Sequence, residues 1–419
     1  MSAVTDHLFE LPSVRAFLHG ISDDIACGQS AIVMTPNGVN DDEVWQRISI
    51  RLSHRGQDYE TIQVNETQKP LDLLYDVLLR DKPLSNFPHT LEHLLREGEC
   101  PGVIRLSQFE KLPEARRWEW MALIRDWADA SHRLSDRGIN LCALCVIAPP
   151  YAFDALPHED THLVIRRWWG IPSGLETQLL YRLMLNDTSH KAVWIEYVLP
   201  SLAGSDLALL DYLYTGDCID SLDSLKQGLL DFAKQCGWTQ PDLQQRLPSL
   251  QYAKGGVLDT IQLTQVHTLW RHGLACWTTE SGLELNTSAL LLLGDDTSVE
   301  HRYWRGQARL LLPLLDDFRR KVSRYLTGRF QASWCTADIN RQTGVTFVQT
   351  DDPSAVEWGE LYSRLTHHPV LRPVQSLLRE PVWLAKKLRN DLAHYQSVTF
   401  EEFKRLRLQI SELESQVFD

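Results

Sequence analysis

The chain has 419 residues, a formal net charge of -13, 43% hydrophobic and 23% charged residues. That length exceeds what one hydrophobic core usually fills, so two or three ordinary globular domains are expected. No apolar run reaches the ~18 residues of a membrane span, and MSAVTDHLFELPSVR lacks the basic-then-apolar order of a signal peptide; a soluble, cytoplasmic protein with no membrane partner is expected.

Charge is unevenly distributed. From residue 300 onward there are 18 Lys+Arg against 15 Asp+Glu, while the remainder holds 24 against 40. An acidic body does not bind nucleic acid through bulk charge, which leaves the C-terminal part as the place for such binding. The eight cysteines are scattered singly, as reduced thiols usually are. Cys142 and Cys145 in LCALCVIAPP have the spacing of half a zinc site. They lie in an apolar run that reads as a buried strand, where residues three apart point to opposite faces, and no second pair follows at finger spacing. Neither a metal nor a cofactor is expected.

Residues 1 to 160 alternate helical and strand signals. LPSVRAFLHGISDDIACGQ reads as an amphipathic helix, SAIVMTPNG as a buried strand with its turn, and DDEVWQRISIRLSHRG as a helix that opens on Asp. DYETIQVN reads as a strand, KPLDLLYDVLLRDK and TLEHLLREG as helices, and GVIRLSQFEKL as a strand and its exit. Helix RRWEWMALIRDWADASHRLSDRG then leads to strand INLCALCVIAPP. Strands interleaved with helices imply a parallel sheet covered on both faces.

That order resembles the core of a P-loop ATPase of the AAA or STAND kind. The resemblance implies G-x-x-x-x-G-K-[ST] after the first strand, where backbone amides and a Lys hold phosphate. Here the place holds TPNGVNDDEV, with a Gly, no Lys and two Asp residues. The acidic pair that would close a later strand and hold magnesium is reduced to Glu110, displaced past Ser107 and Gln108. A degenerate, structural version of an ATPase domain is expected, with an unrelated α/β domain as the alternative.

Residues 161 to 299 read as mostly helical: GLETQLLYRLML, HKAVWIEYVLPSLAG, SDLALLDYLYTG and SLDSLKQGLLDFAKQCGW. TIQLTQVHTLWRHGLACWTTESGLELNTSALLLLG then reads as a helix, a strand, a turn at Glu280, Ser281 and Gly282, and a second strand. Helices before a β-hairpin suggest a winged-helix-like element. Its small positive charge favours a packing role over DNA binding. His158 and His162 in PHEDTHL have helical ligand spacing, but the flanking prolines make the segment a polar linker.

From residue 300 to 419 the pattern is almost wholly helical. HRYWRGQARLLLPLLDDFRRKVSRYLTGRF predicts one long helix, with Pro313 as the place for a kink and Arg319, Arg320, Lys321 and Arg324 on its outer side. The polar stretch from Cys335 to Ala355 has no assignment. WGELYSRLT, a helix starting near Pro369 or Pro373, and TFEEFKRLRLQISELESQ follow, the last with Thr399 and Glu402 as a capping box. The fold expected overall is multidomain α/β plus α: a parallel-sheet domain without a P-loop, a helical and winged-helix-like middle, and an all-α C-terminal bundle.

The candidate site lies in KKLRNDLAHYQSV. Leu384, Leu388 and Leu392 fall four apart and predict a buried stripe. At 100° per residue, Lys386, Lys387, Asn390 and His394 cluster at about 160° to 260° from Leu388, and Arg389 lies on the flank. A surface helix alone could explain this face. Leu-Arg-Asn-Asp-Leu-Ala-His inside a C-terminal helical bundle also resembles the HEPN superfamily, through Arg389, Asn390, Ala393 and His394. That resemblance implies a metal-independent endoribonuclease or toxin effector of prokaryotic antiphage defence. His394 would be the acid/base, Arg389 the phosphate stabiliser and Asn390 an orienting residue. Lys386, Lys387, Arg319, Arg320 and Arg324 would contact RNA, and the partners implied are RNA, other defence proteins and a second copy of the chain. An imidazole can exchange a proton near neutrality and a guanidinium can clamp phosphate oxygens, so the residue types suit the chemistry. The alternative is a non-catalytic regulatory or scaffold subunit of a defence or nucleic-acid-processing assembly. A DNA-binding regulator acting through the winged-helix-like segment is a third reading, weakened by the lack of a basic recognition helix.

Overall fold

A computed structural model describes residues 7–79, 90–185, 188–246, 256–258, 263–339, 346–347, 349–350 and 352–418. Five short strands are formed, β1 (Ser30–Met34), β2 (Tyr59–Gln63), β3 (Val103–Ser107), β4 (Ala143–Ala148) and β5 (Leu163–Arg167). They lie in the order β2-β3-β4-β1-β5, and every neighbouring pair is parallel. The first four strands fall in the segments expected to be strands. The fifth does not: LVIRR follows the proline-flanked linker and lies beyond the boundary expected at residue 160. Its pairing with β1, in the register Ile32 to Ile165, draws it into the sheet.

Alternate residues of the strands feed two cores. One face carries Ile32, Ile104, Leu144 and Cys142 against Leu74 of α3 (Pro70–Leu78), Leu94 of α4 (Leu91–Glu97) and Trp120, Ile124 and Trp127 of α5 (Glu114–Ser135). The helix expected over KPLDLLYDVLLRDK ends at Leu78, and residues 80–82 of that segment lie outside the described residues. The other face carries Val33, Val103, Cys145 and Ile147 against α1 (Pro12–Ala26) and α2 (Asp41–His54). Cys142 and Cys145 therefore point into different cores. This second core continues without a break through the helical remainder to the C-terminus.

Beyond the sheet the chain is mostly helical. α6 (Gly174–Leu185), α7 (His190–Ala203), α8 (Leu207–Thr215), α9 (Leu222–Gln235) and α10 (Gln240–Arg246) precede α11 (Leu263–Arg271). The start of the helix expected from Thr260 lies outside the described residues. β6 (Ala275–Thr278) and β7 (Gly282–Leu285) then form the expected antiparallel hairpin. After α12 (Thr287–Leu292), the 35-residue α13 (Asp296–Phe330) runs unbroken through Pro313. In the stretch left unassigned, β8 (Asp338–Ile339) pairs with β9 (Thr346–Phe347), and residues 340–345, 348 and 351 lie outside the described residues. α14 (Trp358–His367), α15 (Arg372–Ala393) and α16 (Phe400–Gln416) complete the chain.

Two contacts lock α13 in place. A Cβ on Gly306 would lie 2.8 Å from the Val198 Cα and 3.0 Å from the Tyr197 carbonyl oxygen, so α13 and α7 approach backbone to backbone there. Arg302, 1% exposed, donates to Glu284 at 3.0 Å and to the Thr287 hydroxyl at 2.7 Å, pinning the hairpin to the long helix.

Candidate functional site

The expected leucine stripe is buried: Leu384, Leu388 and Leu392 line the core side of α15. That orientation turns Arg389 and His394 to solvent, with Asn390 half-buried between them. Arg389 Nη1 lies 3.4 Å from Asn390 Oδ1, and His394 caps the helix, its amide donating to the carbonyls of Asn390 and Asp391 at 3.1 Å. Asp391, next in sequence, is held by Lys387 at 3.5 Å. Among the described residues no carboxylate pairs with Arg389 or His394.

The helix end has a feature that spacing did not point to. Tyr395 takes φ 59°, the left-handed conformation that helices usually assign to glycine one residue past their end. The turn is closed by Tyr395 N–H to Leu392 O at 3.2 Å and Gln396 N–H to Asp391 O at 2.8 Å. The Tyr395 ring, 68% exposed, lies against Trp304 with centroids 4.7 Å apart, and the Trp304 indole donates to the Leu392 carbonyl at 2.8 Å. An aromatic platform thus stands beside His394. The sequence signal for it is the absence of Gly or Asn just past the helix.

The expected RNA-contacting residues do not converge on this turn. Lys387 is ion-paired with Glu402 as well as Asp391, and Lys386 lies over the Tyr362 ring at 5.0 Å. Arg319 donates to the carbonyls of Ser354 and Val356 and to Asp316; Arg320 also pairs with Asp316, at 2.9 Å. Arg324 is exposed, its Nε 3.4 Å from the Arg320 carbonyl. At a rise of ~1.5 Å per residue, Arg324 lies on the order of 30 Å along α13 from Trp304, and Arg319 on the order of 20 Å.

A second place for chemistry is the carboxyl edge of the parallel sheet, where α/β folds usually bind ligands. A cavity of about 350 Å³ lies there, lined in part by Asp41, Asp42, Arg105, Glu110 and Tyr151. The loop after β1 leads into α2, which Asn40 caps by accepting from the Asp42 amide at 2.9 Å. Asp41, Asp42 and Glu43 fill the first turn, so carboxylates already satisfy the positive end of this helix. Asp41 accepts from the Thr35 hydroxyl at 2.8 Å, and the buried Arg105 reaches Asp42 at 2.5 Å. Burial, reinforced by Glu110, pushes the Asp41 carboxyl up to about 7 despite the Thr35 bond. Glu110, displaced in sequence, comes back to the same cavity.

His162, placed in a linker by its prolines, stacks on His132 with centroids 3.9 Å apart. Among the described residues no group of three or more His, Cys, Asp and Glu is arranged to hold a metal. No described helix is long and apolar enough to cross a membrane.

No protein-family model and no curated protein matches the chain. Among solved structures, a RuvB mutant of Thermotoga maritima aligns with a TM-score of 0.31 at 11% identity over 67% of this chain and 94% of its own. The Aeropyrum pernix ORC2 protein, in ADPNP-ADP complexes, aligns at 0.30 and 12% identity over 71% and 95%. Drosophila ORC bound to GC-rich DNA and Cdc6 aligns at 0.30 and 12% identity over 99% and 72%. Likeness at these scores carries neither the ligands nor the partners of those proteins over to this chain.

Proposed function

We propose that the chain is a metal-independent endoribonuclease of HEPN type, acting in prokaryotic antiphage defence, whose α/β region is an ATPase-like regulatory domain without a nucleotide site. The observation that carries the reading is the α15 terminus, where Arg389, Asn390 and His394 share one solvent-facing turn, no carboxylate among the described residues pairs with Arg389 or His394, and the Tyr395 ring follows His394 directly. His394 takes the 2′-OH proton or returns one to the leaving 5′-oxygen, and Arg389 stabilises the charge that builds on the phosphate. Asn390 orients a phosphate oxygen, and Tyr395 offers a face on which an unpaired base can stack. One turn holds one imidazole, so base and acid are supplied by two His394 side chains of a homodimer.

The regulatory role of the α/β region is supported by its strand order and by the acidic turn that stands where phosphate would lie. The purified chain should cleave single-stranded RNA in EDTA and leave 2′,3′-cyclic phosphate ends. Intact RNA at high protein concentration, or cleavage that survives both Arg389→Ala and His394→Ala, rejects the reading.

A second reading is favoured by the scatter of the basic residues. Lys387 is neutralised, Arg319 is occupied by main-chain carbonyls, and Arg324 is remote from His394. A scaffold subunit that binds partners through this end without cleaving accommodates that arrangement. Intact RNA together with a stable complex with another protein of the same system selects it.

A further inference from the structure

The cysteine pair adjacent in sequence, Cys142 and Cys145, is split between two cores, but Cys142 has a different partner. Val103 and Ala143 are in register, and the Ala143 amide donates to the Gly102 carbonyl at 3.0 Å, which sets Cys142 beside Gly102 at the entry of the sheet. Cys100 lies two residues earlier, in the loop before β3, packed against the core that contains Cys142. The Cys100 thiol donates to the Leu94 carbonyl at 3.8 Å, and the Cys100 and Cys142 side chains are near enough to perturb each other's ionisation. Cys142 is 1% exposed, whereas Cys100 is half-buried and reachable from solvent.

The surroundings hold both residues in place. The Cys142 amide donates to the Ser131 hydroxyl at 3.0 Å, and its carbonyl accepts from the Trp127 indole at 2.8 Å. The loop bearing Cys100 is tied by Glu99 N–H to Leu78 O at 3.0 Å and Gly102 N–H to Asp58 at 2.8 Å. Their reactivities differ. Interaction with Cys142 draws the Cys100 thiol below its ordinary value, while burial and the same interaction push Cys142 well up. Burial also pushes up Cys145, Cys218, Cys236, Cys276 and Cys335. A thiolate is the nucleophile, so Cys100 has the character of an attacking sulfur and Cys142 that of a protonated reserve.

We propose that Cys100 and Cys142 form a peroxide-responsive dithiol, in which Cys100 is oxidised first and Cys142 resolves it to an intrachain disulfide. The Cys100 thiolate attacks one peroxide oxygen, the O–O bond breaks, and the departing hydroxide takes a proton to become water, leaving a sulfenic acid. The Cys142 sulfur then attacks the Cys100 sulfur. Its proton leaves with the sulfenic oxygen as a second water as the S–S bond forms. The peroxide gains two electrons and each sulfur supplies one, so the exchange balances without another reactant. The product bridges the entries of β3 and β4 and ties the α4–β3 loop to the sheet.

The test is peptide mapping of the whole chain after brief exposure to hydrogen peroxide and alkylation of the remaining thiols. The expected result is a linked Cys100–Cys142 peptide, lighter by two hydrogens and restored by dithiothreitol. In Cys142→Ser, Cys100 should instead be captured by dimedone as the sulfenic acid. Wild-type protein in which Cys100 proceeds to sulfinic acid with no linked peptide overturns the proposal. So does one in which the exposed Cys27 and Cys236 are oxidised while Cys100 and Cys142 stay reduced.

Discussion

The side-chain amide of Gln307 pairs with both backbone polar groups of Val398, accepting its N–H at 2.8 Å and donating to its carbonyl at 2.7 Å. Both residues are buried, so this one side chain satisfies a main-chain donor and acceptor that water cannot reach. It also fixes the segment that runs from His394 to α16. Gln307→Leu leaves both groups unpaired and should cost on the order of 2 to 4 kcal/mol, read as a lower denaturation midpoint. An unchanged midpoint would mean that the segment has another anchor.

Exposed site residues should separate activity from stability. Arg389→Ala and His394→Ala should each abolish RNA cleavage while shifting stability by less than about 0.5 kcal/mol. Tyr395→Gly is the informative companion. Glycine relieves the left-handed strain, worth about 1 kcal/mol, so the protein should become no less stable. RNA affinity should nevertheless fall by about 1 to 3 kcal/mol through the lost stacking face. Unaltered binding, measured by anisotropy with a labelled single strand, would remove Tyr395 from the site.

The buried pair between Arg302 and Glu284 yields a thermodynamic test. Arg302→Met strands the Glu284 carboxylate, 2% exposed, and should cost about 3 to 5 kcal/mol. Adding Glu284→Leu should recover much of that loss, because an apolar pair of similar volume needs no desolvation of charge. Chemical denaturation of the two variants checks both signs.

Asp41 sets a pH dependence. Its carboxyl is raised from 3.8 to about 7 in the folded chain, so between those values the folded state holds a proton that the unfolded state has released. Stability should therefore fall as pH rises from about 4 to about 7 and then level off, and Asp41→Asn should flatten that segment of the profile. A profile identical in wild type and variant would contradict this assignment.

The same acidic turn predicts indifference to nucleotide. The carboxylates of Asp42 and Glu43 repel a triphosphate at the end of α2 that would otherwise attract it. Millimolar ATP with magnesium should leave the thermal midpoint unchanged, whereas a rise that grows with ATP concentration would indicate a working site.

Much of the local structure was legible in the residues. Four strands were legible in their segments, the leucine stripe set the buried side of α15, and Thr399 with Glu402 marked the start of α16. β5 was missed because five residues after a proline-flanked linker carry little pattern of their own; its partner β1 lies more than a hundred residues earlier. The aromatic platform was missed because Trp304 and Tyr395 belong to different helical segments.

What the sequence by itself determined was which stretches fold into helix or strand and which side of each is apolar, because those follow from spacing within a few residues. Only the tertiary structure decided which groups meet. It gave Cys142 to Cys100 rather than to Cys145, brought Glu110 back to Asp41, and engaged Lys387 with Glu402. It also carried Arg324 far along α13 from His394. Ionisation, pairing and reactivity depend on through-space neighbours and on burial, and long-range packing supplies both.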